Sequence, residues 1–204
     1  IDTVSVTSLS SYFQCPYRYL NTFLLKTNEV ITPEAELFPL ERGRIFHDVM
    51  ENYFRDLECL DFDYDKFSKD FEIASSNLTW KGVYSGRELR GRTLQKLNNY
   101  IKFLLQAELK RLAKDKRTWL KSFPELPMKD KLVEGLEVSA RIDRVDIFKS
   151  NNELQFDVIE YKLSRSSVPS KSDFKNGYFP QLPFYQKILE RSLPENLSKF
   201  IDKL

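Results

Sequence analysis

The stretch FDVIEYKLS, residues 156–164, places a carboxylate and an ammonium two positions apart at the end of an apolar run. By strand alternation Leu154, Phe156 and Val158 share one face, and Glu160 and Lys162 continue it. Upstream, ARIDRVDIFKS (residues 140–150) reads as a partner strand, joined to the first through Ser150-Asn151-Asn152-Glu153. Asparagine tolerates positive φ, so Asn151 and Asn152 suit a two-residue type I′ turn. With that turn Ile147 faces Phe156, Val145 faces Val158, and Asp143 faces Glu160. Directly opposed side chains stand roughly 4.5–5.5 Å apart at Cβ, where two carboxylates repel. A divalent cation between them removes the conflict, since hard oxygen ligands suit magnesium, manganese or calcium. Lys162, next on that face, is placed to hold a phosphate or a nucleophilic water. The alternative is a surface ion cluster in which Lys162, Arg141 or Arg144 neutralises the acids. Asp146, the second acid of IDRVD, is turned away from Asp143 by the same alternation and reads as structural.

Two further groups stand on helical patterns. His47, the sole histidine, lies in RGRIFHDVMENYFRDL at the edge of a stripe formed by Ile45, Phe46, Val49, Met50, Tyr53 and Phe54. Such a histidine serves as a core residue or as a ligand, and spacing alone does not choose. Gln181 and Tyr185, four apart in YFPQLPFYQKILERSL, share a helix face as site residues or as the rim of a packed helix.

The elements that must position these groups change character along the chain. SVTSLSSYFQCPYRYLNTFLL opens on hydroxyl residues that can cap a helix, and ITPEAELFPLERG reads as a loop. Residues 61–86 are acidic and aromatic, and about 87–120 form a long amphipathic helix with Leu97, Ile101, Leu104, Leu105 and Leu112 inward. SFPELPMKD reads as a loop, two strands follow, RSSVPSKSDFKNG is polar loop, and a final helix has Pro180 near its first turn. Helices, then a meander, then a helix argue for an α+β fold.

Composition sets the remaining bounds. With 204 residues and 41% hydrophobic content, one substantial core is expected. No apolar run reaches membrane-spanning length and no secretory signal is evident, so no membrane partner is expected, and two cysteines far apart in sequence point to a reducing cytoplasm. Cys15 and Cys59 do not make a disulfide framework, and Cys15 reads as a small buried hydrophobe. The first residue, Ile1, points to a fragment or a processed chain. Between Glu41 and Trp80, ten acids outnumber five bases; between Lys81 and Lys131, fourteen bases outnumber five acids. The basic helical segment is either a polyanion-binding face or a solvated face balanced by its acidic neighbour.

Four segments in order resemble the PD-(D/E)XK nuclease superfamily, specifically its RecB-like branch, which includes the nuclease domain of AddB-type helicase–nuclease subunits. TSLSSYFQCPYRYL resembles the amino-terminal entry, GRIFHDVME the glycine-to-histidine motif, ARIDRVDI with DVIEYKLS the paired acidic motifs, and YFPQLPFYQ the glutamine–tyrosine motif. The resemblance implies a three-layer restriction-endonuclease-like fold over residues 1–204, a mixed sheet flanked by helices, with a basic helical insertion at about 61–130. It implies metal-dependent hydrolysis of DNA phosphodiesters, by an exonuclease rather than an endonuclease, in repair or recombination. His47, Asp143, Glu160 and the backbone carbonyl of Tyr161 would hold Mg2+ or Mn2+. Lys162 would position the attacking water, while Gln181 and Tyr185 would orient the site. Lys102, Lys110, Arg111 and Lys114 of the insertion would follow the DNA backbone without reading bases.

Two departures stand out. Glu160 replaces the more usual Asp, keeping the charge. Some relatives bind an iron–sulfur cluster through four cysteines, of which only Cys15 has a counterpart, so no cluster is expected within this chain. The sequence holds no Walker motif, which puts a helicase motor elsewhere in a longer chain or on a partner subunit. The rival reading is a nuclease-like module without catalysis, serving DNA binding or scaffolding. A purely structural interaction domain would treat the same residues as surface charge.

Overall fold

The computed structural model describes residues 2–27, 39–76, 87–133, 136–151, 153–163, 168–177 and 179–201. In chain order the elements are β1 (Asp2–Ser5), α1 (Val6–Gln14), α2 (Pro16–Tyr19), a π-helical turn (Leu20–Leu24), α3 (Pro39–Arg55), α4 (Tyr64–Ser76) and α5 (Arg87–Ala113). There follow β2 (Thr118–Val133), β3 (Leu136–Ser150), β4 (Glu153–Ile159), α6 (Lys171–Lys175) and α7 (Gln181–Ile201). The architecture is α+β, with a mixed sheet flanked by helices. Strand β3 is its centre. It pairs with β2, β4 and β1, and β1 runs parallel to it with Asp2 opposite Leu136 and Ser5 opposite Ser139. Strands β1 and β2 take opposite edges of β3.

The chain forms two compact units that alternate along the sequence. The first comprises residues 1–30, 125–145 and 157–204. Its buried apolar groups are Val6 on α1, Val138, Ala140, Ile142 and Val145 on β3, and Tyr185, Ile188 and Leu189 on α7. Helix α1 starts where Ser5 turns from strand to helix: its hydroxyl accepts the Ser8 N–H at 3.0 Å, and the Ser8 hydroxyl returns a bond to the Ser5 carbonyl at 2.9 Å. Such a cap stabilises a helix start by about 1 kcal/mol. Pro16, which cannot continue the α1 hydrogen bonding, opens α2 at its first position. Cys15 is exposed between these helices, not the buried hydrophobe read from the sequence; the extended residue where the helix is interrupted before Pro16 carries its side chain to solvent. Cys59 is exposed as well.

The second unit comprises residues 31–124 and 146–156. Helices α3, α4 and α5 pack against one another there. All six residues of the predicted α3 stripe are buried, from Ile45 to Phe54. On α5 the buried series is Leu97, Ile101, Leu105, Leu109 and Leu112, spaced by three and four. Each fully buried side chain of this kind stabilises the fold by roughly 1.5–3 kcal/mol. Asp63 begins α4, its carboxylate accepting the Lys66 N–H at 3.0 Å while its own N–H bonds the Tyr53 hydroxyl at 2.8 Å.

Some stretches differ from the sequence reading. Helix α5 stops at Ala113, and residues 118–130, read as helix end and loop, join residues 131–133, read as strand, to form β2. Pro124 and Pro127 fit within it because β2 pairs on one side only among the described residues, leaving positions that need no N–H donor. In the polar segment before α7, Ser170 and Asp173 form a reciprocal capping box that starts α6. At the hairpin Asn151 has φ +48°, the left-handed conformation expected there, while Asn152 lies outside the described residues. Residues 28–38 and residues 77–86 of the basic insertion also lie outside them, while residues 39–43, the end of the segment read as loop, open α3. Among the described residues no helix is long and apolar enough to cross a membrane.

Candidate active site

Strand β3 carries two acids three positions apart, and the fold treats them differently. Asp143 is half-buried in the first unit, where its Oδ2 accepts the backbone N–H of Tyr161 at 2.7 Å. That bond pins the chain just after β4 beside β3. Strand β4 ends at Ile159, so Glu160 follows the strand instead of closing its last rung. The Glu160 side chain is 12% exposed, and its Oε1 is bonded by the Lys162 ammonium, itself 28% exposed. Its Oε2 is buried without a hydrogen-bond partner among the described residues. A buried carboxylate oxygen left so costs free energy unless a cation approaches it.

Glu125 joins these groups and was not singled out in the sequence. It lies in β2, and a carboxylate oxygen of Glu125 stands within 4.8 Å of one of Asp143. Its backbone is left-handed, φ +48°, a conformation that costs a non-glycine residue roughly 1–2 kcal/mol. The turn of backbone at Pro124-Glu125 carries the side chain to the site, where it is 13% exposed and bonded by Arg141 Nε at 2.6 Å. The available signal was a lone acid between two prolines, in FPELPM, an otherwise apolar segment.

Helix α7 supplies the last wall of this site. Tyr185 is buried, and burial first, then the nearby Glu160 and Asp143 carboxylates, push its hydroxyl well above the usual tyrosine range. A hydrogen bond with Gln181, one turn earlier, opposes that shift in part. The phenol therefore keeps its proton and remains a donor beside the acids. Arg144, fully buried on the opposite face of β3, donates to the Tyr161 hydroxyl and lies 5.4 Å from that ring's centre. The side chain of Tyr161 is thus anchored on one side of the strand end while its N–H serves Asp143 on the other.

Asp143, Glu160, Tyr161, Lys162, Gln181 and Tyr185 accordingly belong to one unit. His47 belongs to the second unit, half-buried on α3 with its ring edge-on to Phe46. Lys102, Lys110, Arg111 and Lys114 also belong to the second unit, on or just after α5. Lys110 and Lys114 are exposed. Lys102 lies over the Tyr64 ring at 4.7 Å, and Arg111 reaches Asp146 at 3.0 Å and Glu108 at 3.2 Å. Asp146 is fully buried, its other oxygen accepting the Ser122 hydroxyl at 2.6 Å, in keeping with the structural part its alternation implied.

Glu125 and Asp143 offer hard carboxylate oxygens within 4.8 Å of each other, and the same unit holds the buried, unbonded Glu160 oxygen, with Arg141 bonded to Glu125 and Lys162 to Glu160. Oxygens of this kind suit a hard divalent ion.

Comparison with known proteins agrees with that chemistry. The model of the PD-(D/E)XK nuclease superfamily matches residues 3–199. The chain is 27% identical over 203 residues to an ATP-dependent helicase/deoxyribonuclease subunit of Alkaliphilus oremlandii, covering 89% of this chain and 17% of that protein. Proteins of the same name from Clostridium tetani and Carboxydothermus hydrogenoformans are 22% and 25% identical, covering 98% and 81% of this chain. The chain thus spans about a sixth of the relatives' length, 16–18% of each.

Proposed function

This chain belongs to the PD-(D/E)XK nuclease superfamily, and from that premise we propose that it is a metal-dependent deoxyribonuclease domain. The observation that carries the reading is the buried, unbonded Glu160 oxygen in the unit that also brings the Glu125 and Asp143 carboxylates together. Asp143, Glu160 and the carbonyl of Tyr161 would hold Mg2+ or Mn2+, with Glu125 available beside Asp143. His47, the histidine of GRIFHDVME, is proposed as the ligand from the second unit, on the strength of that motif alone. When bound, the ion supplies a water of lowered pKa and positive charge for the phosphate.

The other steps fall to the chain. Lys162, which bonds Glu160, would offer its ammonium to the scissile phosphate and the developing negative charge. Tyr185, kept protonated by burial and the neighbouring acids, donates a hydrogen bond, and Gln181 fixes its direction. The proposed substrate is DNA, cut exonucleolytically, with a helicase motor in the same longer protein or on a partner subunit. The names of the relatives support this wider setting.

The test combines calorimetric unfolding with DNA cleavage. Manganese should raise the unfolding midpoint of the parent chain, because the unfolded chain cannot assemble the ligands. Asp143→Asn should lose most of that rise and stop cleavage, yet remain folded without metal. If manganese shifts neither protein, the acids do not form a metal site and the nuclease reading fails.

A further inference from the structure

Helix α5 buries Leu97, Ile101, Leu105, Leu109 and Leu112 on one face. The residues at Lys96, Tyr100, Phe103, Ala107, Lys110 and Lys114 are spaced by three and four, so they form one stripe on the opposite face. All six are exposed. Tyr100 is 42% and Phe103 66% open to solvent, unusual for two aromatic rings one turn apart on a helix whose other side is packed. Lysines stand at both ends of the stripe. The single acid between Gly91 and Lys114 is Glu108, which projects away from the stripe and bonds Arg111. With a rise of about 1.5 Å per residue, the stripe from Lys96 to Lys114 is about 27 Å long.

We propose that this outward face of α5 binds single-stranded DNA, bases stacking on Tyr100 and Phe103 while Lys96, Lys110 and Lys114 hold phosphates on either side. The proposal rests on the nuclease reading for its choice of nucleic acid, and it adds a strand-type preference to it. Charge decides among occupants. A face with cations at both ends and no acid is matched by a polyanion, and exposed rings between the cations are matched by unpaired bases, whose faces a duplex conceals. Stacking on aromatic rings tolerates any base, so the site selects unpaired strand over duplex without reading sequence.

The test measures binding of a labelled oligothymidylate by fluorescence anisotropy in EDTA, beside an abasic oligomer of equal length. Replacing Tyr100→Ala and Phe103→Ala should weaken oligothymidylate binding by about 10-fold or more for each ring. Binding of the abasic oligomer should not change. Tyr100→Phe with Phe103→Tyr should bind as the parent does, and equal unfolding midpoints would show that these exposed positions do not affect folding. Lys110→Gln with Lys114→Gln should weaken both oligomers and lower the log–log salt slope by about 0.7 for each lysine. The inference is overturned if the alanine variant binds oligothymidylate like the parent, or loses both oligomers equally. It is equally overturned if that variant keeps its DNA affinity but loses self-association in sedimentation, which would make the face a contact between copies. Where the parent cuts DNA with manganese, such results sink this inference alone. A parent that neither binds oligothymidylate nor cuts DNA removes the nuclease reading as well.

Discussion

Asp143 and Asp146 are three residues apart on one strand, and their surroundings are opposite. Asp146 is fully buried in the second unit with both oxygens bonded, one to Arg111 and one to Ser122. Asp143 is half-buried in the first unit, with a backbone N–H on one oxygen and the Glu125 carboxylate close by. The first arrangement neutralises its charge within the protein. The second gathers like charges and leaves a neighbouring Glu160 oxygen without a bond. Under the proposed metal-dependent reading the two acids of IDRVD divide two tasks, Asp143 serving the cation site and Asp146 bracing the fold.

The largest expected effect breaks the satisfied side of this comparison. Arg111→Met would leave the Asp146 carboxylate buried without its ionic partner, which should cost about 3–5 kcal/mol in urea unfolding. Adding Asp146→Asn to that variant should recover part of the loss, since no buried charge then remains. Unchanged stability in Arg111→Met would show that the guanidinium is free to serve DNA phosphates instead. Asp143→Asn, by contrast, should cost little stability while stopping cleavage.

Next in size is an effect confined to catalysis. Lys162→Ala should slow cleavage by about 100- to 1000-fold, as expected when one preorganised positive donor is removed from a transition state. Its manganese affinity, read by isothermal titration calorimetry, should remain close to the parent's, because a protonated lysine is no metal ligand. A variant cutting at the parent's rate would take lysine out of the mechanism.

The smallest effect concerns a third acid, Asp70 on α4, buried with an oxygen lacking a hydrogen-bond partner among the described residues. Burial raises its carboxyl above the usual value, and Lys66 and Lys69 offset this only in part. The folded state therefore holds that proton more tightly than the unfolded chain. Its stabilising contribution is present below the unfolded value of 3.8 and is lost as pH rises through the higher folded value. At pH 7 Asp70→Asn should raise the unfolding midpoint by about 2 °C or less, and the gain should vanish below that pH window. A lower midpoint at pH 7 would mean that the charged form is favoured in the folded protein.

Local pattern made much of this protein legible before its fold was known. The α3 stripe was complete because a 3.6-residue period determines which side chains can meet one core. Alternation along β3 separated Asp143 from Asp146, and Gln181 and Tyr185 fell on one face and share a hydrogen bond. Composition misled at β2, where two prolines argued for a loop although an edge strand accommodates them. At α6, a reciprocal Ser170–Asp173 cap begins a short helix within a polar segment.

Glu125 shows where such reading ends. Its residue type was plain, but eighteen positions separate it from Asp143 in the chain, and a left-handed backbone sets its direction. The Arg111–Asp146 pair, 35 positions apart, was equally hidden, so a basic helix looked uniformly available to phosphate when one of its arginines braces a buried acid. Periodicity follows from backbone geometry shared by every chain, and it assigns each residue to a face. Which faces meet, and which charge is answered by another, depends on how distant segments pack. There the sequence supplied the acids and the bases, and the folded chain chose which of them to pair.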